Sequence, residues 1–292
     1  MNRLTNGRLA SLGIIVASLV VSTAAVHAQR SIPDDNLAYP VLIEAPGELS
    51  SGFYLSTGTS IYLVTAKHAL FEPTHGHLRV GPMSLLSYPR DPKESGTNLL
   101  LLDTATLSQA GEIRGHPIAD VAVVRIGDLV KSAPDKQPVL LTLKTIPGVT
   151  MRTSAPSGLL GVDISTVKKY QDVLVANEVL VFGYPTSLGI QELPQLDPLR
   201  PLLRRGIVAG LNPRARSIII DCPSYPGNSG GPVVEVDREA FKVTISVVGV
   251  VSEFVPFAEK SIHYPIAYQN VNISNSGYTI VTPMDFVLEL VK

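Results

Sequence analysis

The stretch YPGNSGGPVV, residues 225 to 234, sets one serine, Ser229, among two prolines and three glycines. Glycine serves where a backbone turns with φ > 0 or comes close to another group. Proline fixes φ and removes a donor. A rigid turn that holds up one hydroxyl suits nucleophilic catalysis, because a serine is a weak nucleophile until a base takes its proton. Histidine is the usual base, since its pKa lies near neutrality. Among the 6 histidines, His27 lies in the N-terminal apolar segment, and His75, His77, His116 and His263 lie in polar or loop-like sequence. His68, in IYLVTAKHAL, instead follows a run of buried type. At such a strand end a scaffold hands a side chain to a cleft. A third group must hold the imidazole and stabilise its cation. Asp120, which opens DVAVVRI, is the candidate, and Asp103, in LLLDTA, shares its local features and stays a rival.

The elements that must position these residues read as strands. SGFYLSTGTSIYLVTA has the form of a hairpin around a Ser/Thr/Gly turn. NLLLLDTATL and DVAVVRI are short aliphatic runs. The chain turns polar around 131–170, which places a boundary near residue 145. Strand-like runs then resume in DVLVANEVLVFGYP, RRGIVAGL, RSIIID, GGPVVEV, FKVTISVVGVVSEF and GYTIV. The ending TPMDFVLELVK predicts a helix, with Thr282 as cap, Pro283 at its first position and Asp285 completing a capping box. Many short strands joined by turns imply an all-β barrel or sandwich in two halves.

With 292 residues, 45% of them hydrophobic, the chain has ample material for a core, and 23 Gly with 23 Pro suit strands and turns. A net charge of −1 gives no broad footprint for nucleic acid. The lone cysteine, Cys222, forms no internal disulfide and reads as a small buried hydrophobe. HGH at 75–77 lacks a ligand cluster, so no metal is expected, and no cofactor motif appears. The N-terminus reads as an export signal: Arg3 and Arg8, then an apolar run, then VHA at 26–28. Cleavage after Ala28 leaves Gln29 first, a loose leader over 29–38, and a secreted or periplasmic protein with no membrane contact thereafter; an uncleaved anchor helix is the alternative reading of the same run, and either places the folded part outside the cytoplasm.

TAKHAL, DVAVVRI and PGNSGGPV resemble, in that order, the signature blocks of chymotrypsin-like serine peptidases. VLVFGYP, RRGIVAG and IIIDCPSYPGNSGGPVV are most similar to bacterial periplasmic heat-shock proteases, though the PDZ domains those usually carry are not expected here. The resemblance implies two six-stranded antiparallel β-barrels with the active site between them. Residues 39–145 would hold His68 and Asp120, and residues 146–292, with the helix, would hold Ser229. It implies a polypeptide substrate, an acyl-enzyme, and an oxyanion hole from the N–H groups of Gly227 and Ser229. Gly227 would be needed because a side chain would impede the turn and the substrate. Pro223, six residues before the nucleophile, would floor the primary specificity pocket, with Ser224 beside it. Ser252 would lie beside the substrate with its hydroxyl reaching the triad aspartate. Phe254 would narrow the pocket mouth. An uncharged floor favours small or medium apolar residues before the cleaved bond. Where digestive members carry an aspartate for an activating ion pair, this chain has Asn228, so that activation is not expected. A silent peptide-binding or chaperone-like relative is the alternative, and a serine esterase a weaker one.

Overall fold

The computed structural model describes residues 38–74, 76–89, 91, 93–131, 141–153, 158–186, 193–239, 242–263 and 268–291. The expected signal segment 1–28, the leader up to residue 37 and His75 lie outside them.

Period-two alternation sorts the central strands between three cores. In β2 (Glu48–Ser56), Phe53 and Leu55 face one core while Tyr54 faces another. In β3 (Ser60–Thr65), Tyr62 and Val64 take the first and Ile61 and Leu63 the second. In β7 (Ala122–Lys131), Val123 opposes Ala122 and Val124 in the same way. Strands covered on both faces read as continuous apolar runs, which is how the sequence shows them.

The N-terminal strands form one 10-stranded sheet, ordered β6-β7-β3-β2-β1-β4-β5-β9. The strands not yet placed are β1 (Val41–Ala45), β4 (Pro82–Ser87), β5 (Asn98–Asp103), β6 (Ile113–Gly115) and β9 (Val149–Thr153). β8 (Leu141–Thr145) joins through β7, and β10 (Gly161–Asp163) pairs in parallel with β2. This corrects two expectations. The sheet curls but, among the described residues, does not close as a six-stranded barrel, because its terminal strands β6 and β9 do not pair there. Nor does the first half end near residue 145: β9 still pairs with β5 and β10 with β2. Their partly exposed, polar sequence hid them. TATL, expected to extend a strand, is instead helix α2 (Thr104–Gln109), which Asp103 caps.

The second half closes into a six-stranded barrel, β11-β12-β13-β16-β15-β14. Its strands are β11 (Glu178–Gly183), β12 (Leu202–Asn212), β13 (Ser217–Asp221), β14 (Pro232–Glu239), β15 (Lys242–His263) and β16 (Tyr268–Pro283). Val179, Val181, Ile218, Ile220, Val248 and Val281 fill it together with Cys222, whose thiol burial pushes up to about 11. The remaining core joins both halves: Leu180 and Phe182 of β11 and Val234 of β14 meet Phe53 and Val64, and helix α3 (Met284–Leu290) closes it with Met284, Phe286 and Val287. The expected helix is present, but its capping box is not. Pro283 is the cap residue, Thr282 Oγ1 pairs with Ser252 Oγ, and the Asp285 carboxylate accepts from the Tyr170 N–H.

Candidate active site

His68 lies on the one-turn helix α1 (Lys67–Leu70), directly after β3. Its backbone N–H and its Nδ1 both bind the Asp120 carboxylate, at 3.0 and 2.8 Å. Nδ1–H donating to Asp120 leaves Nε2 as the basic nitrogen. The hydrogen bond to Asp120 raises the His68 pKa above 6.5; burial opposes this, and the charges of Asp120 and Glu48 add to it. Asp103 is elsewhere, exposed, bonded to the N–H groups of Ala105 and Thr106 and to the Thr106 hydroxyl. Those bonds, the Thr106 hydroxyl's first, hold its carboxyl below the usual range. The two sequence candidates therefore separate: Asp120 meets His68, and Asp103 caps a helix.

Asp120 owes its place to a residue that sequence pattern does not single out. The Nδ1 of buried His116 accepts the N–H groups of Ile118 and Ala119, at 3.3 and 3.0 Å, and so builds the turn that ends in Asp120. With Nδ1 accepting, Nε2–H donates to Glu289 of α3 at 3.2 Å, and the ring lies edge-on to Phe286. The C-terminal helix thus braces the aspartate turn.

Ser229 sits on a turn fixed from several sides. The Thr186 N–H binds the Pro226 carbonyl at 2.8 Å, and the Gly231 N–H binds the Asn228 carbonyl at 3.0 Å. In a trans peptide N–H and C=O point in opposite directions. With both carbonyls turned inward, the N–H groups of Gly227 and Ser229 face outward, and no backbone hydrogen bond among the described residues uses either. Ser51 of β2 locks this arrangement: its hydroxyl donates to the Gly227 carbonyl at 2.7 Å and accepts the Tyr184 N–H at 2.9 Å, while its own N–H binds the Ser229 carbonyl at 2.8 Å. Gly227 has φ +93, and a Cβ there would lie 2.2 Å from the Tyr184 carbonyl oxygen. The need for glycine is thus set by the scaffold beneath the turn.

His68, Asp120 and Ser229 line one cleft with Gly227, Ser224, Tyr225, Ser252 and Phe254, and Glu48 and Glu253 are on its rim. Two expectations are corrected. Pro223 does not line this cleft; Ser224 does, one residue on, pinned by Asn275 Nδ2 on its carbonyl and Thr279 Oγ1 on its hydroxyl. The Ser252 hydroxyl does not reach Asp120, because it pairs with Thr282. What Ser252 offers is its backbone carbonyl, 3.5 Å from Ser229 Oγ. Among the described residues no hydrogen bond joins Ser229 Oγ to His68; apo catalytic contacts are often loose and tighten with substrate. Asn228 is buried beneath the turn, uncharged.

A family model described as trypsin-like peptidase domain matches residues 50–241. No curated protein matches the chain. Among solved structures, the HtrA-type protease AlgW with tripeptide is 14% identical over 87% of this chain and 58% of that chain, with a TM-score of 0.44. The crystal structure of Deg5 is 16% identical over 87% of each chain, with a TM-score of 0.45.

Proposed function

The chain belongs to the trypsin-like peptidase domain family, and from that premise we propose that it is an exported serine endopeptidase acting through His68, Asp120 and Ser229. The observation that carries the reading is the cleft itself. It holds a histidine fixed by a carboxylate, a serine on a rigid turn, and two outward backbone N–H groups beside that serine. A substrate peptide would lie along Ser252–Phe254, its N–H taking the Ser252 carbonyl. Ser229 Oγ would then turn toward His68. Its oxygen attacks the scissile carbonyl carbon as His68 Nε2 takes the proton, and the oxyanion forms against Gly227 and Ser229 N–H. The C–N bond breaks as His68 returns that proton to the leaving amine. Water, deprotonated by His68, then attacks the acyl carbon, and the ester C–O bond breaks as His68 returns that proton to Ser229 Oγ. Asp120 orients the imidazole throughout and stabilises its cation.

Ser224, Ser252 and Phe254 would form the pocket for the residue before the cleaved bond. Without a carboxylate at its floor, small or medium apolar residues fit it best. Export to the periplasm or medium, with cleavage after Ala28, completes the proposal, and no further activating cut is required.

A fluorophosphonate probe tests the reaction class. The parent protein should be labelled and Ser229→Ala should not. Ser229→Ala, His68→Ala and Asp120→Asn should each lower kcat by roughly 10⁴, non-additively, because the three act as a unit. The contact of Ser229 Oγ with the Ser252 carbonyl favours a silent peptide-binding relative, and on that reading the parent stays unlabelled.

A further inference from the structure

β1 and β2 are joined by a tight turn. Ala45 pairs with Glu48, so only Pro46 and Gly47 lie between the strands. Proline fixes φ at the first of these positions, and Gly47 takes a φ of +74 at the second. A proline followed by a glycine of positive φ is the pattern of a type II turn. Glu48, the first residue of β2, therefore stands on a rigid tip. Further along the same strand Ser51 grips the nucleophile turn, which ties the tip to Ser229.

Glu48 lines two neighbouring hollows. One is the cleft that holds His68 and Ser229. The other is a groove of about 430 Å³, walled on its far side by Ala45, Leu49 and Thr186. Glu48, Pro226 and Gly227 border both, whereas Ser224, Ser252 and Phe254 border only the cleft. The Glu48 carboxylate is half-buried. Arg79 holds it loosely: Nη2 donates to Oε2 at 3.5 Å, and Nη1 to the Pro46 carbonyl at 3.5 Å. Both lie beyond the usual range of a hydrogen bond. Arg79 thus braces the turn and leaves the carboxylate, with its roughly four lone-pair sites, room for a second cation. Seen from His68 the pair is net negative, since the Glu48 charge raises the imidazole pKa by more than Arg79 lowers it. Neither hollow is lined by a Lys or Arg among the described residues.

We infer that Glu48 is a specificity-determining residue: its carboxylate takes the side chain of a lysine or arginine at one of the first two positions after the scissile bond. This rests on the serine-peptidase reading above. In that mechanism the scissile carbonyl oxygen lies against the Gly227 N–H, and the residue before the bond lies among Ser224, Ser252 and Phe254. The groove lies past Gly227 and touches none of those three, so it receives the chain after the bond. A basic side chain entering there meets Glu48 at the junction of groove and cleft. Arginine suits it best, because its fork pairs with a carboxylate through two parallel hydrogen bonds. The two sides of the bond are then read by opposite chemistry, an uncharged pocket before it and a carboxylate after it. The substrate class is polypeptide with an apolar residue followed directly by basic ones.

Two peptides identical up to the cleaved bond test this. One carries arginine at the first two positions after it. The other carries citrulline there, which nearly keeps the shape and loses the charge. Mass spectrometry of the products verifies that the same bond is cut. With the parent protein the arginine peptide should show a kcat/KM higher by roughly fivefold or more, about 1 kcal/mol. Glu48→Gln should bring the two peptides level, and Glu48→Lys should reverse their order. Hydrolysis of the citrulline peptide reports that the variants fold. A merely structural role for Glu48 would change both peptides alike and leave their ratio standing. Glu253→Gln removes a carboxylate from the acyl side of the cleft and should keep most of the ratio. Equal handling of the two peptides by the parent, a ratio unchanged in Glu48→Gln, or a ratio lost equally in Glu253→Gln overturns the assignment. Failure of the serine-peptidase reading looks different: neither peptide is cut and no probe adduct forms, while fluorescence anisotropy of the labelled peptides with Ser229→Ala still reports whether Glu48 tells them apart.

Discussion

His68 carries a titration that activity and stability read in opposite senses. Its pKa is raised above 6.5, chiefly by the hydrogen bond to Asp120. In the proposed mechanism the base is the neutral imidazole, so kcat/KM should fall as pH drops through this raised value, with the acid limb above the usual histidine range. Stability has the other sign. A group whose pKa is raised on folding favours the fold below its unfolded pKa, and that contribution is lost as pH rises through the folded value. The protein would thus gain activity over the same window in which this contribution to stability is lost. Asp120→Asn removes the main cause of the shift, so its residual activity should show an acid limb at lower pH than the parent's. A pH profile of kcat/KM checks this, and a limb at or above the parent's would refute Asp120 as the cause. At this scale the glycine- and proline-rich turn that holds Ser229 and the histidine just after β3 were legible in the sequence. Local features left Asp120 only modestly ahead of Asp103, the resemblance of DVAVVRI favoured Asp120, and in the structure one caps a helix while the other meets His68. Ser51 left no signal, because a buried serine in a strand means nothing until its partners, 176 and 133 residues away, are known.

Between elements, the link that matters for the site runs from α3 through His116 to Asp120. Glu289 and Phe286 hold the His116 ring, and the ring holds two backbone N–H groups of the aspartate turn. His116→Ala leaves those N–H groups without their acceptor and opens a gap against Phe286. We expect kcat to fall, up to roughly 10²-fold, since a small misplacement of a catalytic group costs that much. His116→Asn, whose side-chain oxygen can accept the same N–H groups, should recover part of the loss. Steady-state kinetics on both variants, with probe labelling as a control for the serine, decide it; an unchanged kcat in His116→Ala would remove His116 from the site. Most elements were legible, since strands covered on both faces write continuous apolar runs. β9 and β10 were not, because partly exposed strands in polar sequence resemble a linker. The helix was found through its capping pattern, yet the structure uses Thr282 and Asp285 for other bonds. The length of β15 was hidden for a related reason: from Glu253 to Lys260 it is exposed or half-buried and shows no buried alternation.

Across the whole molecule, one core serves both curled sheets. Phe182 is fully buried in it, edge-on to Tyr39 with ring centroids 5.3 Å apart, and it packs with residues of the first sheet, the barrel and α3. Its carbonyl also lies so close under the nucleophile turn that a Cβ on Gly231 would sit 2.2 Å from it. Leu100 is equally buried, but in the core of the first sheet alone. Truncating either should cost stability, about 3–5 kcal/mol for Phe182→Ala and about 2–5 for Leu100→Ala. The two should differ in their effect on the site. A cavity at Phe182 loosens the seam across which His68 faces Ser229, so Phe182→Ala should lose probe labelling at temperatures where it is still folded. A cavity at Leu100 lies away from that seam and should leave labelling of the folded protein intact. Because the seam is a packed core, urea unfolding of the parent followed by far-ultraviolet circular dichroism should be a single transition. If Leu100→Ala instead unfolded in two steps, with the barrel persisting after the first sheet had melted, the halves would be independent, and the shared core would not be what aligns the catalytic residues.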